Sequence, residues 1–366
     1  MPHPGHGKRA TGYTEAMFHH VPLQLAFSTL FAILASASAD AQGPGAGLDG
    51  GALYQRYCAL CHGEDATGYA ADNAPSLVST SFLSTATDDF LFDATAYGRP
   101  GTPMAAYVSD LGGPLEPDEI RAIGVWLRRQ RPVEPLALDP NPVTGDATVG
   151  SKVYAAECAR CHGARGGGVD AVSLSNPRFL ASASDAFVQQ AIREGREGTE
   201  MMAYGSLLAP DQIAALTAFI RTWARPLENA RPVAGVPTRI EPLLYPEGPQ
   251  PAFALREGLY LAADDLKAAL DQKARVVLVD ARPMSDWIAS HIPGAVPIPY
   301  YDVNALAETL PKDGTMIVAY CACPHAASGE VVEYLRGLGF PATAILDEGY
   351  LVWVERGYPV VPGVPH

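Results

Sequence analysis

The pentapeptide Cys58-Ala59-Leu60-Cys61-His62 recurs as Cys158-Ala159-Arg160-Cys161-His162, and no other feature limits the chain so tightly. Two thiols at this spacing, with an imidazole next to the second, form the attachment signature of c-type haem. The thiols meet the two vinyl groups of one haem and become thioethers, and the histidine reaches the iron from one face. The expected cofactor is therefore two covalently bound haem c groups, held by Cys58 and Cys61 and by Cys158 and Cys161. The chemistry this points to is electron transfer.

Each pentapeptide sits inside a longer internal repeat. Gly50 to Pro132 parallels Gly150 to Pro226, with Tyr54 matching Tyr154. Downstream, Ser81-Phe82-Leu83 parallels Arg178-Phe179-Leu180. The run from Gly98 and Arg99 through Met104 to Tyr107 then parallels the run from Gly195 and Arg196 through Met201 and Met202 to Tyr204. Each copy closes on a helical pattern opened by proline, at a position where the missing N–H costs no hydrogen bond. Ile120, Ile123, Trp126 and Leu127 share one face after Pro117. Ile213, Leu216, Phe219, Ile220 and Trp223 share one after Pro210. The repeat is too long for a solenoid module and is complete in itself. Two tandem domains are expected, at 48–132 and 147–226, with a proline-rich linker at 133–146. A second proline-rich linker, 227–254, leads into the last third, and such spacers are semi-rigid.

His62 and His162 are the proximal iron ligands on the motif alone. The opposite ligand follows by elimination. No further histidine lies between Gln42 and Gln250, and the methionines in that span are Met104, Met201 and Met202. A thioether suits haem iron and raises its potential, which favours electron transfer over oxygen chemistry. Met104 stands alone in the first copy, and the repeat selects Met201 in the second, with Met202 as the alternative. The competing reading makes these methionines core gap-fillers. Their Gly/Pro-rich surroundings favour a ligand loop.

From the helix entering the haem motif, through the methionine loop, to the closing helix, both copies resemble small class I cytochromes c. The resemblance implies a mainly α fold wrapped round each haem, with His/Met axial ligation. Arg99 and Arg196, at the start of the methionine loops, could pair with haem propionates or simply be solvated.

The last third changes character. Val276 to Asp280 and Thr315 to Tyr320 are short apolar runs that read as buried strands. Helical patterns run from Ala263 to Leu270, Val303 to Leu310, Ser328 to Leu338 and Tyr350 to Arg356. Alternating strands and helices imply a parallel sheet covered on both faces. Cys321 ends a strand just before a helix. Backbone N–H groups of the intervening loop would favour its thiolate and hold a persulfide. Asp280-Ala281-Arg282, His291-Ile292-Pro293-Gly294-Ala295, Tyr320-Cys321 and Glu348-Gly349-Tyr350 follow in an order that resembles the rhodanese family, over 255–363. The resemblance implies an α/β fold with its reactive cysteine after a central strand. The loop Cys321-Ala322-Cys323-Pro324-His325-Ala326-Ala327 departs from the common pattern because it holds no Arg or Lys. That puts thiosulfate in doubt as the sulfur donor. Ala327 stands where phosphatase relatives carry arginine. Cys321 is the candidate nucleophile, Cys323 a resolving thiol, a partner in a strained, labile disulfide with Cys321, or a bystander, and His325 an acid, a base, a weak cation or a plain polar loop residue. Asp280 and Arg282 are expected to shape the scaffold, and His291 to be a hydrogen-bonded structural residue.

Residues 1–41 read as a secretory leader. Lys8 and Arg9 precede an apolar run from Leu23 to Leu34, and Ala39-Asp40-Ala41 fits a cleavage site. The run is short for a membrane span, which needs about 20 residues, so membrane contact is expected only if the leader stays uncleaved. A periplasmic address agrees with haem attachment. Net charge of −14 speaks against nucleic acid as a partner and allows docking to a basic redox protein, although a plain acidic surface explains it equally well. The expectation is an exported di-haem electron-transfer protein whose third domain carries sulfur from a small sulfur compound. The alternative is an electron carrier with a non-catalytic docking or sulfur-sensing domain.

Overall fold

The computed structural model describes residues 47–71, 73–227, 241–322 and 325–363, side chains 305 and 306 excepted. The leader expected over 1–41 and Cys323 lie outside the described residues.

The first domain is built from helices α1 (Gly50–Tyr57), α2 (Ala59–His62), α3 (Thr80–Leu83), α4 (Asp88–Tyr97) and α5 (Pro117–Gln130). The second repeats it with α6 (Ala147–Glu157), α7 (Ala159–His162), α8 (Pro177–Ser182), α9 (Asp185–Glu194) and α10 (Pro210–Arg221). Aspartates cap the opening helices: Asp49 accepts from the Ala52 amide and Asp146 from the Thr148 amide. Pro117 and Pro210 start the closing helices, where the side chains of Glu119 and Gln212 reach back to the amides of Glu116 and Ala209. Opening and closing helices cross at Gly50 and at Gly150. A Cβ there would stand 2.1 Å from the Ala122 carbonyl oxygen and 2.0 Å from that of Ala215. Only glycine lets the two backbones approach this closely.

The repeat extends to interactions the sequence does not announce. Arg128 reaches the Leu83 and Ala86 carbonyls and Asp88, and Arg221 reaches the Leu180 and Ala183 carbonyls and Asp185. Each arginine ties the closing helix to the two helices before the methionine loop. Helix α4 packs on α8 and α3 on α9, in reciprocal fashion. Phe82, Phe90, Phe179 and Phe187 meet there, with Phe90 stacked on Phe187 at 4.9 Å. The two domains therefore share an aromatic core, where tandem domains joined only by a linker would have kept separate ones.

The third domain is an α/β layer with β1 (Leu243–Leu244), β2 (Tyr260–Leu261), α11 (Ala263–Asp271), β3 (Val276–Asp280), α12 (Met284–Ala289) and β4 (Val296–Pro297). It continues with α13 (Asn304–Ala307), β5 (Met316–Tyr320), α14 (Ala326–Gly337), β6 (Thr343–Leu346) and α15 (Gly349–Glu355). The sheet order is β1-β3-β5-β6-β2, with β4 also paired to β3. Every pairing is parallel except β1 on β3, so the sheet is mixed and not wholly parallel. The antiparallel strand comes from Leu243–Leu244, inside the proline-rich segment that composition marks as a linker. Strand alternation sends Ile317, Ala319 and Cys321 into one face cluster and Val318 and Tyr320 into the other. Cys321 thereby faces the layer that includes Val331, Val332 and Leu335 of α14.

Candidate haem and sulfur sites

One helical turn assembles each haem motif. The His62 amide bonds the Cys58 carbonyl at 3.0 Å, and the His162 amide bonds that of Cys158 at 3.0 Å. Both imidazoles are buried, and Nδ1 lies 2.9 Å from a backbone carbonyl, that of Pro75 for His62 and that of Val172 for His162. A carbonyl only accepts, so Nδ1 donates, and the Nε2 lone pair is left for a ligand. Burial pushes both imidazoles below their ordinary pKa, which keeps them neutral. Two thiols beside a neutral imidazole of fixed tautomer are the donor set that a covalent haem requires. Tyr54 and Tyr154, both fully buried, brace the turn that follows by donating to the Gly63 and Gly163 carbonyls, each at 2.7 Å.

The methionine loops are superimposable in their bonding. The Arg99 amide donates to the Met104 carbonyl at 2.7 Å and the Arg196 amide to the Met201 carbonyl at 2.8 Å. The amides of Met104 and Met201 in turn donate to the hydroxyls of Thr102 and Thr199. Met202 has no part in this pattern and is 54% exposed. Met104 packs against the first domain's core together with Cys58. Arg99 lies over Phe90, and Arg196 over Phe82 and Phe187. Burial lowers both guanidinium groups to about 10. A desolvated cation at the same place in each copy is suited to an anionic carboxylate.

In the third domain, Cys321 follows β5, is 1% exposed and has its Sγ 3.3 Å from the Ser328 hydroxyl. Its carbonyl accepts from the Tyr350 amide, which ties the loop to α15. His325 stands at the start of α14, with Nε2 3.0 Å from Asp347 and its ring against Tyr260. Asp347 also receives two hydrogen bonds from Arg256, at 2.9 and 2.7 Å. That guanidinium holds its carboxyl below the usual carboxylate range. The loop lacks a cation in sequence, but the fold brings Arg256 to the carboxylate that orients His325. No local signal marks Arg256, which lies far upstream of the cysteine. Beneath the loop, Arg282 grips Asp280 through two guanidinium nitrogens and also bonds the Ser290 carbonyl. The Tyr320 hydroxyl donates to Asp280 at 2.9 Å, and Arg282 stacks on Tyr350. His291 is buried, stacks on Trp287 and bonds its carbonyl. These three residues lie away from solvent as scaffold.

Short helices around paired thiols, followed by a sheet with a cysteine at a strand end, describe a cytochrome c protein carrying a separate α/β domain. A family model described as cytochrome C oxidase, cbb3-type, subunit III matches residues 45–127 and again 145–220. One described as a rhodanese-like domain matches residues 262–356. Residues 45–127 and 145–220 are thus two cbb3-type cytochrome c domains, and residues 262–356 a rhodanese-like domain. It is 29% identical over 218 residues to the Cbb3-type cytochrome c oxidase subunit CcoP of Rubrivivax gelatinosus, covering 58% of this chain and 66% of that protein. It is 30% identical over 175 residues to subunit FixP of Bradyrhizobium sp. (strain ORS 278), covering 45% of this chain and 57% of that protein. The chain spans less than two thirds of the length of either. A solved rhodanese-like domain from Anabaena sp. is 28% identical, covering 28% of this chain and 76% of that one, with a TM-score of 0.26. Among the described residues, no helix is long and apolar enough to cross a membrane.

Proposed function

We propose that the chain is an exported, periplasmic electron carrier with two haem c groups, and that its rhodanese-like domain carries sulfur as a persulfide on Cys321. The observation that carries the first part is the twofold occurrence of a buried imidazole with Nδ1 satisfied and Nε2 left for iron. His62 with Met104 and His162 with Met201 are the residues that would hold the two irons. Cys58 with Cys61 and Cys158 with Cys161 are the attachment thiols, and Arg99 and Arg196 are partners for propionates. When bound, each haem supplies one-electron redox chemistry. In the third domain, the Cys321 thiolate attacks the outer sulfur of a persulfide donor R–S–SH. A Cys321–S–SH bond forms, the donor's S–S bond breaks, and R–S⁻ leaves. Forming the same persulfide from a thiol and sulfide would instead release two electrons and two protons, which two one-electron carriers match. Cys323 is the proposed resolving thiol, and His325, held by Asp347, the group that hydrogen-bonds the incoming sulfur. A redox protein, basic if it docks on the acidic surface, is the proposed electron partner.

The near-complete burial of Cys321 favours a second reading, in which the third domain docks or senses without turnover. Sulfur transfer from a persulfide donor to a thiol, measured on the full chain and on Cys321→Ser, separates the two. The catalytic reading expects the variant to lose on the order of 10³-fold or more. Equal rates would leave only the docking role. The haem assignment has its own check: acid-acetone extraction of the denatured chain should leave the pigment on the polypeptide, and a colourless chain would remove it.

A further inference from the structure

The two cytochrome domains repeat one another nearly bond for bond, so the place where they differ is informative. In the second domain, the tyrosine that follows the methionine loop, Tyr204, donates its hydroxyl directly to the Glu157 carbonyl at 3.1 Å. Glu157 immediately precedes Cys158. In the first domain the equivalent groups are Tyr107 and the Tyr57 carbonyl, and they do not meet. Tyr300 of the third domain stands between them. Its hydroxyl donates to the Tyr57 carbonyl at 2.6 Å and lies 3.0 Å from the Tyr107 hydroxyl. Tyr300 has one proton, already given to the carbonyl, so Tyr107 is the donor in the second bond.

The insertion is part of a wider seal. Tyr301 packs edge-on against Tyr57 at 5.0 Å, and Arg56 donates to the Tyr301 carbonyl. Ser285 donates to the Ala106 carbonyl, two residues past Met104. Leu60, which lies between Cys58 and Cys61, packs against the hydrophobic cluster that contains Cys321, alongside Tyr300 and Ala326. Tyr107 is 8% exposed as a result, whereas Tyr204 is only half-buried.

We infer that the rhodanese-like domain forms part of the first cytochrome's haem site, with Tyr300 as the positioning residue that excludes water from the edge beside Cys58 and Cys61, and that this cover sets the potential of the first haem apart from that of the second. The inference rests on the proposed reading of two bound haems. A drier site disfavours the ferric form, which carries the greater positive charge, and so raises the potential. No equivalent side chain from the third domain reaches the second haem motif among the described residues.

The test is a potentiometric titration of the full chain, followed by haem absorbance. The wild type should show two resolved one-electron steps. Tyr300→Ala should move the higher step downward by about tenfold in the reduced-to-oxidised ratio at fixed potential, about 59 mV for a one-electron couple, and leave the other in place. Tyr300→Phe keeps the ring and loses only the hydroxyl bridge. It should move the same step in the same direction by less, and it decides the question alone if the alanine variant does not fold. Both steps unchanged, or both displaced equally, would overturn the inference. A colourless chain would fail the haem reading itself. Absent sulfur transfer with an intact Tyr300 effect would fail only the sulfur reading.

Discussion

Alanine at Gly50 or at Gly150 is expected to lower the melting temperature of the paired cytochrome domains by roughly 6–12 °C. At Gly150, inside α6, intrinsic helix propensity alone predicts the opposite, because alanine is favoured over glycine in a helix interior by about 0.5–1 kcal/mol. Packing decides the sign. The added Cβ would stand 2.1 Å from the Ala122 carbonyl oxygen, or 2.0 Å from that of Ala215, and both obstacles are backbone within a closing helix. No side chain can rotate away, so the crossing helices must part. Overpacking typically costs 1–3 kcal/mol, and a rigid backbone contact belongs at about 3 kcal/mol. The two domains are joined through a shared aromatic seam and should melt together as a unit of 150–250-residue size, for which 1 kcal/mol corresponds to about 2–4 °C. Gly124→Ala supplies the control. Gly124 also lies in α5, but its added Cβ would meet nothing within 4 Å. That variant should gain stability by about 0.5–1 kcal/mol. Thermal unfolding followed by circular dichroism reads all three. Equal small gains at Gly50, Gly150 and Gly124 would refute the close crossing.

Arg282→Ala is expected to be the most damaging single change in the third domain. It leaves the Asp280 carboxylate, at 0% exposure, with only the Tyr320 hydroxyl and the residue-282 amide as partners. Removing one member of a buried ion pair costs about 3–5 kcal/mol, because the remaining charge stays desolvated. For a domain of about 100 residues that corresponds to a fall of roughly 12–40 °C in its melting transition. Replacing both members with apolar groups of similar size should cost far less, since the orphaned charge goes with its partner. Differential scanning calorimetry of the single and double variants distinguishes these. A double variant as unstable as Arg282→Ala would show that packing, not charge, governs the site.

Features that depend on short-range spacing were open to reading from the chain. Paired thiols beside an imidazole, proline at the first turn of α5 and α10, and the unbroken apolar run Val276 to Val279 each carry their structure within a few residues. The matching of Gly50 to Gly150 was visible too, although a sequence repeat alone does not say that each glycine lies at a helix crossing. What escaped depends on pairing across distance. Thr343–Leu346 is too short to stand out as a strand without its neighbour β5. Leu243–Leu244 sits among prolines and joins the sheet only because β3 offers it an edge. Arg256 reaches Asp347 and His325 through tertiary folding, with no motif to announce it. Tyr300 was invisible for the same reason: its role appears only when one repeat is compared with the other in three dimensions. The reciprocal phenylalanines were aligned in the repeat, but alignment does not reveal that one copy's ring stacks on the other's.

That stack changes what the proline-rich segment between the copies is for. The relative pose of the two copies is fixed by Phe82, Phe90, Phe179 and Phe187 and by direct hydrogen bonds, among them Ser81 donating to Glu197 and Asn176 to the Pro100 carbonyl, while the segment itself is pinned at both ends by the Leu136 amide on the Ser84 carbonyl and the Val143 amide on Asp185. A polar side chain in place of Phe187 should loosen that pose. The duplicated halves work as a single ruler, its marks engraved in phenyl rings.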